Sequence, residues 1–417
     1  MAHVVVHRIF SLSVSLPVRG ADGLAKRAPY GGVERQRLSS QSVKAHLRSA
    51  TGIPGSMSDL AVDLGTDMSV RSALIGPRLI APELEKRGLK AEVASDWAGA
   101  IMALFQSGKK AAEATSPKKG KKAKADAETE DAKEDDTGEV AAASLPGRQV
   151  LTLGKQEIDA LTTVAETLQN EKIAPSEMRD LVEKQAKRKN CSENVRTALA
   201  ALDSMRAHAG LDGALFGRMA TGIALSRVDS AVHVGHALTT HSIQSSVDFF
   251  SAQDQLLDRD AGETGGAHIG SRELTTGVYY LPVVIDVEQI RNNCSGWNND
   301  EIAKVVGWLV KSIATITPAA MLGSTAPFTD PGEVIVEITN GQPVNAMGAF
   351  ERPVEPTLAA SVSAFNHHIE RVWAMIGQPA KVARLSDFID PKAASPAVQR
   401  LAESVADAIK TTVSAAA

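Results

Sequence analysis

A long segment without regular periodicity lies between residues 215 and 280 of this chain. Strand-like runs flank about thirty residues in which apolar side chains recur with neither the helical nor the strand period. A loop of that length inside a compact domain is uncommon, and such loops usually carry function. We therefore predict a functional loop at residues 240–272, held by a scaffold that the rest of the chain forms.

The composition predicts an ordinary soluble protein and excludes several classes. The chain has 417 residues, of which 43% are apolar and 23% charged, enough for two or three domains. Its two cysteines, Cys191 and Cys294, are far apart, which argues against a disulfide framework and against a cysteine zinc site. No run approaches the roughly twenty apolar residues that span a bilayer, so we expect a cytoplasmic protein without a membrane partner.

Positive charge is concentrated near the N-terminus. The net charge of the whole chain is -4, which argues against a globally basic nucleic-acid binder. Residues 1–50 nevertheless contain eight lysines and arginines against two acids, an excess of six. Ser39 or Ser40 is the predicted N-cap of a helix on which Lys44 and Arg48 share one face. A solvated basic helix and a phosphate-binding surface both fit this pattern.

The predicted elements follow the order strand, helical insertion, strand, long loop, strand, helix, strand, helix. This order predicts the α+β class, with a ferredoxin-like sheet interrupted by large insertions. We place the mostly helical insertion at residues 53–212, with Trp97 anchoring its core. Within it, residues 108–145 are rich first in lysine and then in acids, and this composition predicts a disordered segment. The clearest single elements are strands at 278–287 and 333–339 and helices at 302–313 and 358–376.

Several catalytic and metal-binding classes lack their motifs in this chain. It has no G-x-x-x-x-G-K-[ST] phosphate loop, no G-x-S-x-G nucleophile elbow and no H-E-x-x-H zinc helix. His233, His236 and His241 are close in sequence, but on a strand His236 faces away from the other two. We therefore predict no metal site and no cofactor. Asp22, in the basic N-terminal loop, is the one acid that we single out as a candidate catalytic group.

Two adjacent aromatic residues stand out in the long loop. Aromatic residues make up only 4% of the chain, yet Phe249 and Phe250 follow one another in an otherwise polar stretch. Such rings suit either docking into a core or stacking against a nucleic-acid base, and the residues alone favour docking. Met219, directly after Arg218, is open to the same two interpretations.

Several short blocks, in order along the chain, match one protein family. They are Gly31-Gly32, Leu38-Ser39-Ser40-Gln41-Ser42-Val43-Lys44, Gly217-Arg218-Met219-Ala220-Thr221, Val228-Asp229, His236-Ala237, Thr239-Thr240-His241, and Ala267-His268 with Gly270. Through these blocks the chain resembles the CasC-type backbone subunit of the type I-E CRISPR surveillance complex, Cascade. The similarity covers most of the chain, and the charged segment at 108–145 is its departure from the family pattern.

The resemblance implies a hand-like protein with a non-catalytic role in antiviral defence. Its parts would be an RRM-like palm (1–52, 213–239 and 273–417), helical fingers (53–212) and a thumb (240–272). Such a subunit binds a CRISPR RNA guide and polymerises head to tail along the spacer as a helical filament. The expected partners are the guide, other copies of the chain, other Cascade subunits and, through the guide, a target DNA strand. The alternative is a type III-like backbone subunit that cleaves target RNA with Asp22.

The resemblance and the basic N-terminal residues together nominate a set of RNA contacts. The resemblance implies that cations and hydroxyls of the palm hold phosphates without reading sequence. It also implies that a palm methionine and thumb aromatics wedge at intervals along the guide, so that pairing with the target proceeds in short segments. The predicted RNA-binding residues are Lys26, Arg27, Arg37, Ser39, Ser40, Gln41, Lys44, Arg48, Arg218, Met219, Phe249 and Phe250.

Overall fold

The structure is a computed structural model, in which the chain divides into two compact units. The larger unit comprises Met1–Thr66 and Ser230–Ala417, and the smaller comprises Asp67–Asp229. The structure describes residues 2–49, 55–105, 150–203, 209–220, 222, 227–253, 266–294, 296–318 and 322–414. The predicted disordered segment at 108–145 lies outside these residues. In the described part of the chain, no helix is both long enough and apolar enough to span a bilayer.

Strands and helices occur in separate runs along the chain, as expected for the predicted α+β class. The strands are β1 (His3–Ser15), β2 (Arg27–Tyr30), β3 (Val33–Leu38), β4 (Val70–Ser72), β5 (Leu151–Leu153), β6 (Val232–Val234), β7 (Ala237–Thr239), β8 (Gln244–Gln253), β9 (Gly266–Asp286), β10 (Glu333–Thr339) and β11 (Lys381–Arg384). The α-helices are α1 (Ser40–Ser49), α2 (Met57–Asp63), α3 (Ala81–Lys86), α4 (Ala91–Leu104), α5 (Lys155–Asn170), α6 (Met178–Glu183), α7 (Gln185–Arg188), α8 (Glu193–Asp203), α9 (Leu211–Phe216), α10 (Val287–Asn293), α11 (Asn299–Thr315), α12 (Leu322–Thr325), α13 (Leu358–Ile376) and α14 (Ala397–Ser414).

An antiparallel sheet forms the centre of the larger unit. Its strand order is β11-β10-β1-β9-β7-β3-β2, and β6 and β8 also pair with β9. Helices cover both faces of β1. The Arg8 side chain donates to the carbonyl oxygen of Ile313 at the end of α11, at 3.0 Å, whereas the next residue, Ile9, packs in one cluster with Phe365 of α13. Since consecutive strand residues face opposite sides, α11 and α13 lie on opposite faces of the sheet.

The elements predicted from a buried apolar stripe are confirmed. Strand β10 has the predicted bounds, 333–339. Helix α11 contains the predicted 302–313 stripe and begins with a capping box, in which the Asn298 side chain accepts from the Glu301 amide. Helix α13 runs from Leu358 to Ile376 and ends at Gly377, whose φ of 100° is one that glycine adopts readily.

A tight hairpin joins β2 to β3 at the edge of the sheet. Tyr30 pairs with Val33, so Gly31 and Gly32 form a two-residue loop. Both have positive φ, 62° and 78°, as the twist of such a hairpin loop favours. A Cβ on Gly31 would lie 1.6 Å from the carbonyl oxygen of Glu351, whereas a Cβ on Gly32 would meet nothing within 4 Å. Gly31 therefore permits close contact with the backbone of Glu351, whereas Gly32 is needed only for its positive φ.

These two glycines give a matched pair of substitutions. We expect Gly32→Ala to lower the free energy of unfolding by about 1 kcal/mol, the cost of a left-handed alanine. Gly31→Ala should cost clearly more, about 2–4 kcal/mol, because the hairpin must also move away from Glu351. Chemical denaturation of both variants measures the difference. Equal losses for the two variants would mean that the hairpin does not pack against Glu351.

The smaller unit is built around a helical core, as predicted for this region. Trp97 of α4 is fully buried, and its indole N–H donates to Oε1 of Gln169 on α5 at 2.7 Å. A short β4–β5 pair completes the unit. These contacts give Trp97 the anchoring role that its position in an apolar helical pattern predicts.

The boundaries of the units differ from the predicted limits of the insertion, 53 and 212. The segment before Asp67 belongs to the larger unit, because the indole N–H of Trp308 donates to the carbonyl of Gly55 at 2.6 Å. The Lys304 ammonium also lies 3.2 Å from the Asp63 carboxylate. At the other end, the smaller unit continues to Asp229. The first difference arises from contacts between residues distant in sequence.

Much of the predicted functional loop is a β-ribbon. Strand β8 pairs antiparallel with the first half of β9, from Gln244 opposite Thr276 to Gln253 opposite Gly266. The prediction of a loop without strand structure is therefore wrong for residues 244–253 and 266–272. Residues 244–249 are all exposed, so the strand produces no alternation of apolar and polar side chains. The predicted loop residues between 254 and 265 lie outside the described part of the chain.

Candidate nucleic-acid interface

Helix α1 begins where the sequence predicts, and its first amides already have partners. The Ser39 hydroxyl accepts from the Ser42 amide at 3.3 Å, which confirms a serine N-cap. The Ser40 amide donates to Nδ1 of His236 at 3.0 Å. The Ser40 hydroxyl donates to Oε1 of Gln41 at 3.3 Å. Ser39 is thus buried as a cap, whereas the Gln41 side chain is exposed next to it.

His236 is a positioning residue that the sequence alone did not reveal. Burial and the nearby positive charge of Arg37 lower its pKa, so the neutral ring with a free Nδ1 is favoured. This form is the one that accepts the hydrogen bond from Ser40. His241 is buried and bonds elsewhere, accepting from the Val278 amide at 3.0 Å through Nε2. Among the described residues, no group of three histidines, cysteines or acids could hold a metal ion.

The predicted cations Lys26, Arg37, Lys44 and Arg48 lie along β3, its neighbouring loop and α1. The Arg37 amide donates to the Lys26 carbonyl at 2.8 Å, which sets these two residues side by side. Neither side chain forms an ion pair with a carboxylate in the described part of the chain. The Nε of Arg37 is buried without a hydrogen-bond partner there. Burial lowers the pKa of Lys44, and a nearby anion would relieve that cost.

Arg27 is a clamp between the N-terminal loop and the ribbon. Its guanidinium lies 3.2 Å from Glu34 and also donates to Glu273 at the base of the ribbon. Glu273 accepts a further bond from the Ala25 amide at 2.7 Å. Burial raises the pKa of Glu273, but bonds from Ala25, Ser245 and Arg27 outweigh it and lower the pKa overall. The Arg27 charge is therefore matched by two carboxylates, and its main contribution is to hold the loop against the ribbon.

The two phenylalanines of the ribbon have different environments. Phe249 is 68% exposed, and it shares its face of the ribbon with Glu273, since residues two apart on a strand face the same way. Phe250 faces the other side, where its ring covers Gly270 and lies 4.5 Å from the Arg272 guanidinium. The two rings therefore cannot insert together from one face. Exposed Val247 and Ile269 extend the apolar strip around Phe249.

Arg218 and Met219 belong to the smaller unit and point in opposite directions. The Arg218 guanidinium is buried, donates to Glu157 at 2.6 Å and lies 5.3 Å from the ring centre of Phe105. Met219 is 91% exposed. This geometry argues against a direct phosphate contact for Arg218 and leaves Met219 available for a ligand. The pairing with Glu157 could not be read from the sequence, because 61 residues separate the two.

Asp22 has the local contacts of a turn residue. Its side chain is exposed, and Oδ1 accepts from the Leu24 amide at 3.1 Å. A carboxylate that bonds the backbone two residues on stabilises an Asx turn. The loop is closed further by the Gly20 amide, which donates to the Leu24 carbonyl at 2.7 Å. These contacts explain an aspartate at this position by its role in stabilising the turn.

Comparison with known proteins places the chain in a family. The family described as CT1975-like protein, a Cas family, matches residues 4–414. The chain belongs to the CT1975-like family of Cas proteins. No curated protein sequence matches it.

Two solved structures have the same fold as this CT1975-like protein. One is described as "CRISPR RNA-guided surveillance complex, pre-nicking", with 22% identity and a TM-score of 0.65 over 98% of this chain and 100% of that one. The other is described as "CRISPR RNA-guided surveillance complex", with 21% identity and a TM-score of 0.56 over 97% and 99% of the two chains. The likeness extends over both units rather than over one of them.

The exposed Phe249 and the half-buried Phe250 give a matched pair of substitutions. Phe249→Ala should leave the thermal midpoint almost unchanged but weaken RNA binding by about 1–3 kcal/mol, the usual value of a stacked base. Phe250→Ala should lower the thermal stability of the ribbon, because it uncovers Gly270 and removes the contact with Arg272. Hydrogen exchange of the ribbon and RNA titration separate the two effects. Similar behaviour of both variants would contradict the expectation that, of the two predicted RNA-binding rings, Phe249 makes the contact and Phe250 stabilises the ribbon.

Proposed function

We propose that this CT1975-like protein is the guide-RNA-binding backbone subunit of a CRISPR surveillance complex. Its family and its fold likeness to chains of such complexes support this proposal. The main observation in its support is the set of hydrogen bonds that Glu273 accepts from Ala25 and Arg27. Glu273 bonds the basic N-terminal loop and lies on the ribbon that exposes Phe249, so the cations and the ring that we propose as RNA contacts belong to one unit.

The cations of this surface suit a guide of arbitrary sequence. Lys26, Arg37, Lys44 and Arg48 would contact phosphates, which position an RNA without reading its bases. The exposed Gln41 side chain at the start of α1 would add a hydrogen bond to phosphate or sugar. Sequence recognition would be left to pairing between the guide and its target.

The exposed apolar side chains would divide the guide into segments. Phe249 on the ribbon and Met219 in the smaller unit would each wedge against a base and displace it from the stack. The bases between successive wedges remain free to pair with a target DNA strand. A repeated wedge therefore predicts pairing in short segments rather than one continuous duplex.

Repetition along the guide follows from head-to-tail contact between copies of the chain. Such a heterologous contact builds an open helical filament when its rotation does not close a ring. In this arrangement the larger unit is an RRM-like palm, the smaller unit the fingers and the ribbon the thumb, as in the type I-E branch. The remaining partners would be other subunits of the same complex. The direct test is the identity of the RNA that the chain carries when it is purified from its host.

The proposed subunit holds RNA and does not cleave it. The turn contacts of Asp22 explain this carboxylate without a catalytic role. We therefore expect Asp22→Ala to bind guide and target as the natural protein does, within about twofold. Incubation with labelled complementary RNA, followed by denaturing gel electrophoresis, checks for cleavage. An RNA-cleaving activity that disappears in Asp22→Ala would refute the scaffold role and support a nuclease subunit.

A further inference from the structure

His236 lies beside the predicted RNA contact Arg37 in the larger unit. It comes directly before β7, which pairs with β3 so that Leu238 lies opposite Arg37. Burial and, after it, the nearby positive charge of Arg37 lower the pKa of the His236 ring. The ring is therefore close to one of the cations that we place on the phosphate path.

The hydrogen bond from Ser40 determines which nitrogen of the His236 ring carries the proton. The Ser40 amide donates to Nδ1 at 3.0 Å, and a backbone amide can only donate. Nδ1 must therefore be unprotonated, so the neutral imidazole carries its proton on Nε2. The lowered pKa keeps the ring neutral at and above neutral pH. His236 thus presents a fixed, uncharged N–H donor at its outer nitrogen.

The outer nitrogen of His236 has no acceptor among the described residues. The residue is exposed, and within the described ranges the bond from Ser40 is the one hydrogen bond of its side chain. His241, on the same segment, uses both of its ring nitrogens. Its Nδ1 bonds the Ser242 carbonyl at 2.7 Å, and its Nε2 accepts from the Val278 amide at 3.0 Å. Of these two histidines, only His236 can therefore donate to a ligand.

The surroundings of the His236 Nε2–H favour an anionic acceptor. Arg37 lies beside the ring, and its amide donates to the Lys26 carbonyl at 2.8 Å. Lys44 is one turn into α1, four residues after Ser40. A phosphate accepts from several donors at once, and a hydrogen bond to a charged oxygen is stronger than one to a neutral oxygen. A neutral donor next to Arg37 also avoids the repulsion that a second cation would create there.

We propose that His236 is a further RNA contact, whose neutral imidazole donates its Nε2–H to a phosphate of the guide. The contact rests on the proposed guide-binding function, and it gives the two nitrogens of one ring different roles. Nδ1 holds the Ser40 amide at the start of α1, and Nε2–H binds the phosphate. Because the contact is to the backbone of the RNA, it reads no base.

Two substitutions separate the roles of the two nitrogens. His236→Asn places an amide oxygen near the position of Nδ1 and removes the outer donor, whereas His236→Gln places an amide N–H near the position of Nε2 and removes the inner acceptor. His233→Gln is the matched control, because His233 is an exposed histidine of β6 whose side chain makes no hydrogen bond within the described residues. Each variant is made in the full chain, and its thermal midpoint is compared with that of the natural protein.

His236→Asn should weaken guide binding about tenfold at about pH 8, near the low end for a hydrogen bond to a charged group. The loss should be the same for unrelated spacers. His236→Gln and His233→Gln should bind within about threefold of the natural protein, because each retains an outer donor at position 236. The opposite order, with weak binding by His236→Gln and normal binding by His236→Asn, would mean that the ring only positions Ser40 and would overturn the proposal. Equal binding by all variants, or a loss confined to one spacer, would also overturn it.

The salt dependence of binding separates a neutral donor from a cation. His236→Asn should leave the slope of log affinity against log salt unchanged, because an uncharged group displaces no counterion. A fall of about 0.7 in the slope would mean that a charged imidazolium neutralises a phosphate, and it would overturn the proposal.

The double variant Lys44→Ala with Arg48→Ala shows in the same titrations whether this surface binds guide RNA. If the double variant weakens binding and His236→Asn does not, the guide-binding function stands and the His236 contact is refuted. If the natural protein binds no guide RNA, both are refuted.

Discussion

Replacing Lys44 and Arg48 together by alanine should weaken guide binding by roughly 25-fold at about 0.1 M salt, whatever the spacer sequence. The two side chains are one turn apart on α1, where both face the proposed phosphate path. For single-stranded RNA, each lost phosphate contact removes about 0.7 from the slope of log affinity against log salt. The slope should therefore fall by about 1.4. Titrations at several salt concentrations, with at least two unrelated spacers, measure both quantities.

The matched control for this variant is Lys311→Ala with Lys392→Ala. Both lysines are exposed, and the change in net charge is the same. Guide affinity should change less than about twofold, because neither lysine is a predicted RNA contact and exposed charges that touch no phosphate are weakened by salt screening. Loss of binding confined to one spacer, or an equal loss in the control variant, would show that α1 is not a sequence-independent phosphate contact.

Arg218→Met should lower the free energy of unfolding of the smaller unit by about 3–5 kcal/mol. The substitution leaves the buried Glu157 carboxylate without its partner, at an arginine that also donates to the Thr152 carbonyl at 3.0 Å. Replacing both residues, Arg218→Met with Glu157→Leu, should recover most of that loss, since neither charge is then left unpaired. Denaturant unfolding followed by tryptophan fluorescence measures each variant.

Arg196→Met is the control for the loss of an arginine. Arg196 pairs with Glu193 on the surface of the same unit, so its removal should cost less than about 1 kcal/mol. If Arg218→Met unfolds like the natural protein and instead flattens the salt dependence of guide binding, then Arg218 contacts RNA and the structural assignment is wrong.

The parts of the fold that were predictable are those with a clear apolar pattern. Helices α11 and α13 follow directly from periodic apolar residues, because each helix buries one side. Strand β10 follows from a short apolar run, because it is buried on both faces. The ribbon was missed because β8 exposes its side chains on both faces and leaves no such pattern. The domain boundaries were displaced by contacts such as Trp308 with Gly55, which local sequence does not encode.

The residue types of the candidate site were predictable from the sequence, but the structural role of each residue was not. The excess of cations in the first fifty residues and the adjacent phenylalanines were visible in the sequence. The sequence could not show that Arg27 is matched by Glu273, which lies 246 residues away. Nor could it show that Phe249 and Phe250 face opposite sides, because that depends on their lying in a strand. Ion pairs between residues far apart in the sequence neutralise some of the cations. The sequence alone therefore does not show which cations can bind an anionic ligand.

The measurement that tests the central claim most directly is sequencing of the RNA that co-purifies with this CT1975-like protein from its native host. A guide scaffold should carry short RNAs of uniform length, each with one spacer flanked by repeat sequence. Their spacers should differ widely, because phosphate contacts read no bases. A heterogeneous mixture of cellular RNA would indicate a general RNA binder, and the absence of RNA would mean that the basic surface is only solvated. Either of these results would contradict the proposed function.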